Sequence, residues 1–395
     1  MNEKIRSFDH TLFFVVVALM GIGLIMVYSA SSIASMTEMS DSLFYFKKQL
    51  MWVLIGLFAL FILSYIPYTT WESLAIPLLV VSVLLLILVL IPGVTREIGG
   101  AKRWLRFGGF GFQPSEFAKI AFVIYLAHAF STKQQKIQDF VRGILPEMII
   151  MGIVFALILK GPNLSTAAII GSVFFILLFL GNGSLLHLMF MGACGSTLVV
   201  SLIFQESYRM RRFLAFLDPW ATAKTSGYHI IQSLIAIGSG GMWGLGLGQS
   251  RQKFFILPER HTDFIFAIIC EELGLLGGAL IVILFFLLIW RGFYIAAKAP
   301  DMFGFLLAAG VTSIIALQTL INLGVVLSLL PTTGVTLPFV SYGGSSLVFL
   351  AGAMGILLNI SRYSSGKNAF EEGGKKTFAQ NYLDPGDQVY QRRSR

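Results

Sequence analysis

The sequence predicts an all-α integral membrane protein, a bundle of ten transmembrane helices with a large loop between the seventh and the eighth. Three observations carry that expectation. Of 395 residues, 56% are hydrophobic and only 12% charged, half the charged fraction of an ordinary soluble domain, about 25%. The charges are missing from stretches of about 20 residues, the length that crosses a bilayer as a helix. Glycine, proline and polar residues punctuate those stretches where the chain must turn. A cytosolic enzyme, a disordered scaffold and a disulfide-stapled secreted domain are excluded, since Cys194 and Cys270 lie in apolar runs and read as small buried residues.

Taken in order, Thr11 to Thr37, Gln49 to Trp71 and Ser73 to Thr95 give the first three spans. The fourth starts at Ser115 and runs to about Phe130; the fifth covers about Leu145 to Leu159. Gly161 to Gln205 is uncharged and long enough for two helices, with the break at Gly181-Asn182-Gly183. The eighth span follows Asp263 and ends near Trp290. Met302 to Ser361 makes two more around Pro331-Thr332-Thr333-Gly334 and Pro338. The first run is too long for a cleaved signal peptide. Residues 1–363 are therefore expected to form one membrane domain with its loop at about 205–262, and the polar 364–395 a disordered tail.

Ten spans put both termini on one face. The net charge of +9, from 29 basic and 20 acidic residues, points to anionic partners, which at a membrane means phosphate-bearing lipids at least as readily as nucleic acid; where the charges sit must decide, and no nucleic acid is expected. Basic residues divide fourteen to each face, with Lys119 inside the fourth span completing the 29. That tie departs from the usual positive-inside bias, so the face opposite the termini holds cations that topology does not require. They cluster in residues 92–114 and 205–262.

The first cluster reads Gly100-Ala101-Lys102-Arg103-Trp104-Leu105-Arg106, followed by Gln113-Pro114-Ser115-Glu116-Phe117-Ala118-Lys119. Cations flanking an indole suit a phosphate or pyrophosphate with a sugar or lipid beside it. Interfacial anchoring explains the same residues, because Trp and basic side chains gather at headgroup level. Pro114-Ser115 reads as a helix start, and Glu116 and Lys119 share a helix face. A charge pair inside a span is costly and points to function, with helix packing as the other explanation.

The second cluster begins at Tyr208-Arg209-Met210-Arg211-Arg212-Phe213. Six glycines between Gly238 and Gly248 fit neither a G-x-G-x-x-G nor a Walker spacing, so that segment reads as backbone packed closely against helices or a ligand. The loop closes on Glu259-Arg260-His261-Thr262-Asp263, with Glu271 and Glu272 in the helix beyond. Two carboxylates and a histidine beside surplus cations make a general-base constellation next to an anion site; capping of the helix by Thr262 or Asp263 is the alternative. His261 has no second ligand at a metal-site spacing, and there is no G-x-S-x-G elbow. The final connection, up to Ser341-Tyr342-Gly343-Gly344-Ser345-Ser346, is rich in hydroxyls for an uncharged loop at membrane depth, which the lining of a polar cavity would explain.

Jointly, Gly-Ala-Lys-Arg-Trp at 100–104, Gln-Pro-Ser-Glu-Phe-Ala-Lys at 113–119, Leu-Pro-Glu at 257–259 with His-Thr-Asp-Phe-Ile-Phe-Ala at 261–267, and Pro-Phe-Val-Ser-Tyr-Gly-Gly-Ser-Ser at 338–346 make the sequence resemble the SEDS family (shape, elongation, division and sporulation proteins) over about residues 8–363. Thr336, the Gly-Ser-Gly-Gly-Met-Trp-Gly run at 238–244 and residues 249–255 resemble the FtsW/SpoVE branch more than RodA. Pro162-Asn163-Leu164-Ser165-Thr166 departs from the family's Pro-Asp-Leu-Gly-Thr and replaces a carboxylate by an amide.

The resemblance implies a peptidoglycan glycosyltransferase that polymerises lipid II and releases undecaprenyl pyrophosphate, on the outer face of the bacterial cytoplasmic membrane, for septal or sporulation wall synthesis. It implies a class B penicillin-binding protein transpeptidase and other divisome proteins as partners, cytoplasmic termini and hence an extracellular 205–262 loop. Asp263 would be the catalytic base. Lys102, Arg103, Lys119 and Arg212 would stabilise pyrophosphate, with Trp104 against sugar or prenyl carbon. Gln113, Ser115, Glu116, Glu259, His261, Ser341, Tyr342, Ser345 and Ser346 would complete the substrate site. No cofactor is certain; a divalent cation, Mg or Mn, bridging Asp263 or Glu259 to pyrophosphate is admitted by the chemistry. Gly304, Ala308, Ala309 and Thr312 offer small residues for a partner helix or for packing within the bundle. A lipid II flippase is the rival function, using Glu116, Lys119, Glu271 and Glu272 in alternating access; a non-catalytic scaffold would not need the clustered cations and carboxylates.

Overall fold

The computed structural model describes residues 7–91, 95, 103–107, 110–134, 136–254 and 256–363. Lys102 and the tail 364–395 lie outside the described residues. The chain is a bundle of α1 (His10–Met39), α2 (Phe44–Tyr65), α3 (Thr69–Ser73), α4 (Ala75–Leu90), α5 (Pro114–Thr132), α6 (Leu145–Lys160), α7 (Leu164–Leu180), α8 (Leu185–Gln205), α9 (Ser207–Leu217), α10 (Tyr228–Gly240), α11 (Ile265–Ala297), α12 (Met302–Val326) and α13 (Gly344–Tyr363). A π-helical turn, Phe140–Ile144, leads into α6, and β1 (Leu105–Phe107) pairs antiparallel with β2 (Phe110–Phe112) just before α5.

Local chemistry sets many of the boundaries. Asp9 caps α1 by accepting from the Leu12 amide at 2.9 Å, Asp301 caps α12 through the Gly304 amide at 2.7 Å, and Pro114 opens α5. The expected second span to Trp71 is instead divided: Pro67 holds Ile66 extended, so α2 stops at Tyr65 and α3 is a separate short helix. The break at Gly181–Gly183 falls between α7 and α8 as expected, with Asn182 left-handed at φ 69°. The 205–262 segment is not a plain loop. It contains the amphipathic α9 and also α10, whose Ile230, Ile231, Ser233, Ala236 and Gly240 are buried at helical spacing.

Seven of the described helical segments are long and apolar enough to cross a membrane, including Phe140–Lys160 as one; α4 and α7 are apolar but shorter. The helix α5 runs buried along nearly its whole length. It packs with α12 and α13, which are also largely buried, while α8 lies at the periphery and leaves Cys194 exposed, contrary to the buried reading of that residue. Gly304, Ala308, Ala309 and Thr312 are all buried inside this bundle, so that face is filled by the chain's own helices and is not open to a partner.

The ends of α1 separate two regions. Near its start, the Asp9 amide donates to Ser361 at 3.0 Å and Arg291 donates to the Asp9 carboxylate at 2.7 Å, tying the two ends of the helical domain together. About 30 Å further along, twenty residues at about 1.5 Å each, the Ala30 carbonyl accepts from Arg260 at 3.2 Å.

The glycine-rich segment is built into a break in α11. Gly274 has φ 68° inside that helix, and Gly244 has φ 80°; a Cβ at Gly244 would sit 2.1 Å from the Glu272 carbonyl, so no other residue fits there. Amides of Leu245 and Gly246 donate to the carbonyls of Glu271 and Glu272, each at 3.0 Å.

Candidate active site

Beyond the far part of α1, Arg103, Trp104, Gly111 and Gln113 and the segments 259–263 and 334–346 meet α5, α7 and α12 around a cavity of about 700 Å³. Asp263 stands in its wall. The turn that delivers it is closed by Glu259, whose backbone is left-handed at φ 51° and whose carbonyl accepts from the Thr262 and Phe264 amides at 3.1 and 3.2 Å. Asn322 of α12 donates through one amide nitrogen to the Asp263 and Val335 carbonyls, both at 2.8 Å. The residue preceding α11 is Phe264, and no side chain caps that helix. Asp263 is therefore not a cap, and its carboxylate accepts no hydrogen bond from the described residues.

The electrostatics follow from that placement. Burial, reinforced by the nearby Glu259 carboxylate, pushes the Asp263 carboxyl up to about 7, against the pull of Arg212 and Arg103. Arg103 is itself lowered from its ordinary value, chiefly by burial. Its guanidinium is braced on the α6–α7 turn: Nε donates to the Gly161 carbonyl at 2.8 Å and Nη2 to Pro162. Trp104 lies beside it in the wall, against Gly111.

Of the residues expected at the site, Arg103, Trp104, Gln113, Glu116, Glu259, Asp263, Tyr342 and Ser346 line the cavity. The others do not. Lys119 is 2% exposed and held by Glu116 at 2.9 Å, behind the wall. Ser341 is buried with its hydroxyl committed, donating to the Thr262 carbonyl at 2.6 Å and accepting from the Leu337 amide at 2.9 Å. Ser345 accepts from the Gln113 amide at 3.3 Å and so positions that residue instead of meeting the cavity. Ser115 is buried at the start of α5, facing a small crevice on the other side of Arg103. His261 packs its ring between Tyr45 and Tyr342, at centroid distances of 4.7 and 5.7 Å. Arg212 is exposed on α9 and reaches Asp263 through its field.

The intramembrane acids have structural partners. Glu271 accepts from the Ser250 hydroxyl and from the Arg251 amide at 2.9 Å. Glu272 accepts from Ser29 at 2.6 Å and pairs with Lys253 at 3.2 Å. Both hold the 244–253 segment in the α11 break, which removes them from a transport pathway.

Sequence reasoning missed Lys48, Trp52, Asn163, Thr166, Thr262, Gln318 and Thr336 in the wall. The available signal for Gln318 was an amide inside an otherwise apolar span. Asn163 explains its own departure from the acidic pattern: it caps α7, its side-chain oxygen accepting from the Thr166 amide at 3.2 Å. Asp and Asn cap about equally well, so Asn163→Asp should leave thermal stability in detergent within about 0.5 kcal/mol of the parent; a larger loss would show that more than capping selects the amide.

This fold and site define a multi-pass membrane protein with a cavity whose wall holds an acid of raised pKa together with arginine. Residues 10–366 match the FtsW/RodA/SpoVE family, described as cell cycle proteins. The chain belongs to that family. It is 46% identical to stage V sporulation protein E of Bacillus subtilis, covering 92% of this chain and all of that protein. It is 43% identical to a probable peptidoglycan glycosyltransferase FtsW of Trichlorobacter lovleyi, over 91% of this chain and 94% of the relative. A solved chain from a peptidoglycan synthase complex that coordinates polymerization and crosslinking superposes with a TM-score of 0.76 at 30% identity, covering 90% of this chain and 98% of that one.

Proposed function

We propose that this chain is a peptidoglycan glycosyltransferase that polymerises lipid II, with Asp263 as the general base. The observation that carries the reading is the Asp263 carboxyl, free of hydrogen bonds from the described residues, shifted to about 7 and facing a cavity shared with Arg103. A base with a pKa near the working pH transfers protons most effectively. In the reaction, the Asp263 carboxylate takes the proton of the acceptor's sugar hydroxyl as that oxygen attacks the anomeric carbon of the donor. The new C–O bond forms while the bond to the pyrophosphate oxygen breaks, with inversion, and the departing electron pair stays on undecaprenyl pyrophosphate. Arg103 in the wall, with Lys48 and Arg212 nearby, offsets the charge that develops there. Lys119 has no part in that step.

Family membership and the wording of the relatives' names support the reading; the paired Glu116–Lys119 and the structurally committed Glu271 and Glu272 count against a flippase. Among the described residues no group of three or more His, Cys, Asp and Glu side chains gathers to hold a metal. Asp263 and Glu259 are the two hard oxygen donors that Mg or Mn would take, and such an ion would neutralise charge on the leaving group.

The proposal extends to ten spans, α1, α2, α4, α5, α6 with its π-helical lead, α7, α8, α11, α12 and α13, in one membrane domain. Both termini are placed in the cytoplasm, and the cavity, with the 205–262 segment, opens on the extracytoplasmic side of the bacterial membrane. The separation along α1 between the Asp9 cluster and Arg260 matches a hydrocarbon core of about 30 Å. A class B penicillin-binding transpeptidase and other divisome proteins are the proposed partners.

The test is whether the purified chain converts lipid II to glycan polymer with no second polymerase present. Its pH profile supplies a sharper prediction. Since Asp263 must be ionised to act, kcat/KM should rise about tenfold per pH unit up to about 7 and level off above it. Glu259→Gln removes a neighbour that raises that pKa, so the limb should move to lower pH; Arg212→Gln removes one that lowers it, so the limb should move higher. An unmoved limb in both variants would detach the titration from Asp263.

A further inference from the structure

We propose that Gln318 determines substrate specificity by pairing its side-chain amide with the 2-acetamido group of the donor sugar. The inference rests on the glycosyltransferase reading and extends it to a recognised group.

Gln318 lies on α12 in an apolar stretch, is 3% exposed and lines the cavity with Asp263 and Glu116. Its Oε1 is buried without a hydrogen bond, and its amide nitrogen makes none to the described residues. Buried amides are almost always satisfied, so one left open in a cavity wall is completed by what the cavity receives. Its position is tied to the reacting centre. Asn322, one turn further along the same face and about 5–6 Å away, is the residue that donates to the Asp263 carbonyl.

The chemistry selects the group. Pyrophosphate is anionic and calls for arginine and lysine; the attacking hydroxyl calls for a base. A neutral amide with one donating and one accepting end is matched in full by another amide. In an N-acetylated sugar donor that amide is carried on the carbon next to the anomeric carbon, and Gln318 and Asp263 line the same cavity. Gln318 Oε1 would accept from the acetamido N–H, and its amide nitrogen would donate to the acetamido carbonyl.

The experiment compares lipid II with an analogue whose muramyl 2-acetamido group is replaced by hydroxyl, using the full-length chain in detergent. The wild type should prefer lipid II by at least about 50-fold in kcat/KM, because a site built to bond an N–H rejects its absence strongly. Gln318→Leu should lose a similar factor on lipid II while its preference shrinks to less than about fivefold. Gln318→Met, closer in length, serves if the leucine variant does not fold. A wild type that uses both substrates equally, or a variant that keeps the full preference, as it would if Gln318 merely held a water, overturns the proposal. Wild-type polymer formation that disappears in Asp263→Asn keeps the glycosyltransferase reading intact through either of those results; no polymer from the wild type would overturn both.

Discussion

Asp263→Asn should lose at least about 100-fold in lipid II polymerisation, the scale of a positioned acid–base group, while the protein inserts and folds normally. The stability half of this expectation comes from the geometry. Phe264, and not Asp263, precedes the first residue of α11, and no side-chain cap is made, so neither Asn nor Ala at 263 forfeits capping energy. The sign of the pKa shift goes further. A carboxyl raised to about 7 in the folded state costs stability once pH exceeds its unfolded value near 3.8, and the cost grows until the folded pKa is passed. A neutral amide relieves that cost, so at pH 8 the Asn protein should melt no lower than the parent. Thermal unfolding in detergent together with a lipid II gel assay reads both quantities. Near-parental glycan synthesis by the Asn protein would leave Glu259 as the carboxylate to examine.

Glu116→Gln should be among the most destabilising single changes in the helical domain. It strands the ammonium of Lys119, 2% exposed and paired at 2.9 Å with Glu116, and breaking a buried pair by removing one partner costs about 3–5 kcal/mol. Adding Lys119→Met removes the stranded charge, so the double variant should recover most of the loss. Activity separates the two residues. Glu116 lines the cavity and keeps Oε2 without a partner, whereas Lys119 lies behind it. A double variant that regains stability yet stays slow would mark Glu116 as a substrate contact; one that regains both would leave the pair a structural brace. Equal melting temperatures for Glu116→Gln and the parent would show that the pair does not hold α5 in place.

Several elements were legible before any fold was known, and for identifiable reasons. Charge-free runs locate helices because an ion at mid-bilayer is expensive, and the Gly181–Gly183 break and the Pro331–Pro338 connection are marked by residues that end helices. The motifs at 100–104, 113–119, 257–267 and 338–346 carried the family and, through it, the choice of Asp263 from the Glu259, His261 and Asp263 constellation. The split of α2 from α3 was written at Pro67 but obscured by uninterrupted apolarity, and α9 and α10 were hidden in a segment rich in glycine and arginine.

The sequence by itself determined the class of the protein, its family and the chemical repertoire of its site, since these depend on which residue types are present and at what spacing. Tertiary structure decided which of those residues share a wall. Ser341, Ser345 and Lys119 carry the same functional groups as residues at the cavity, yet their hydrogen bonds are used within the protein. Gln318 and Lys48, with no motif of their own, face it. The reason is that a polar side chain in a membrane bundle must find a partner, and whether that partner is a neighbouring backbone or an incoming substrate depends on how helices distant in sequence pack, which local pattern does not encode.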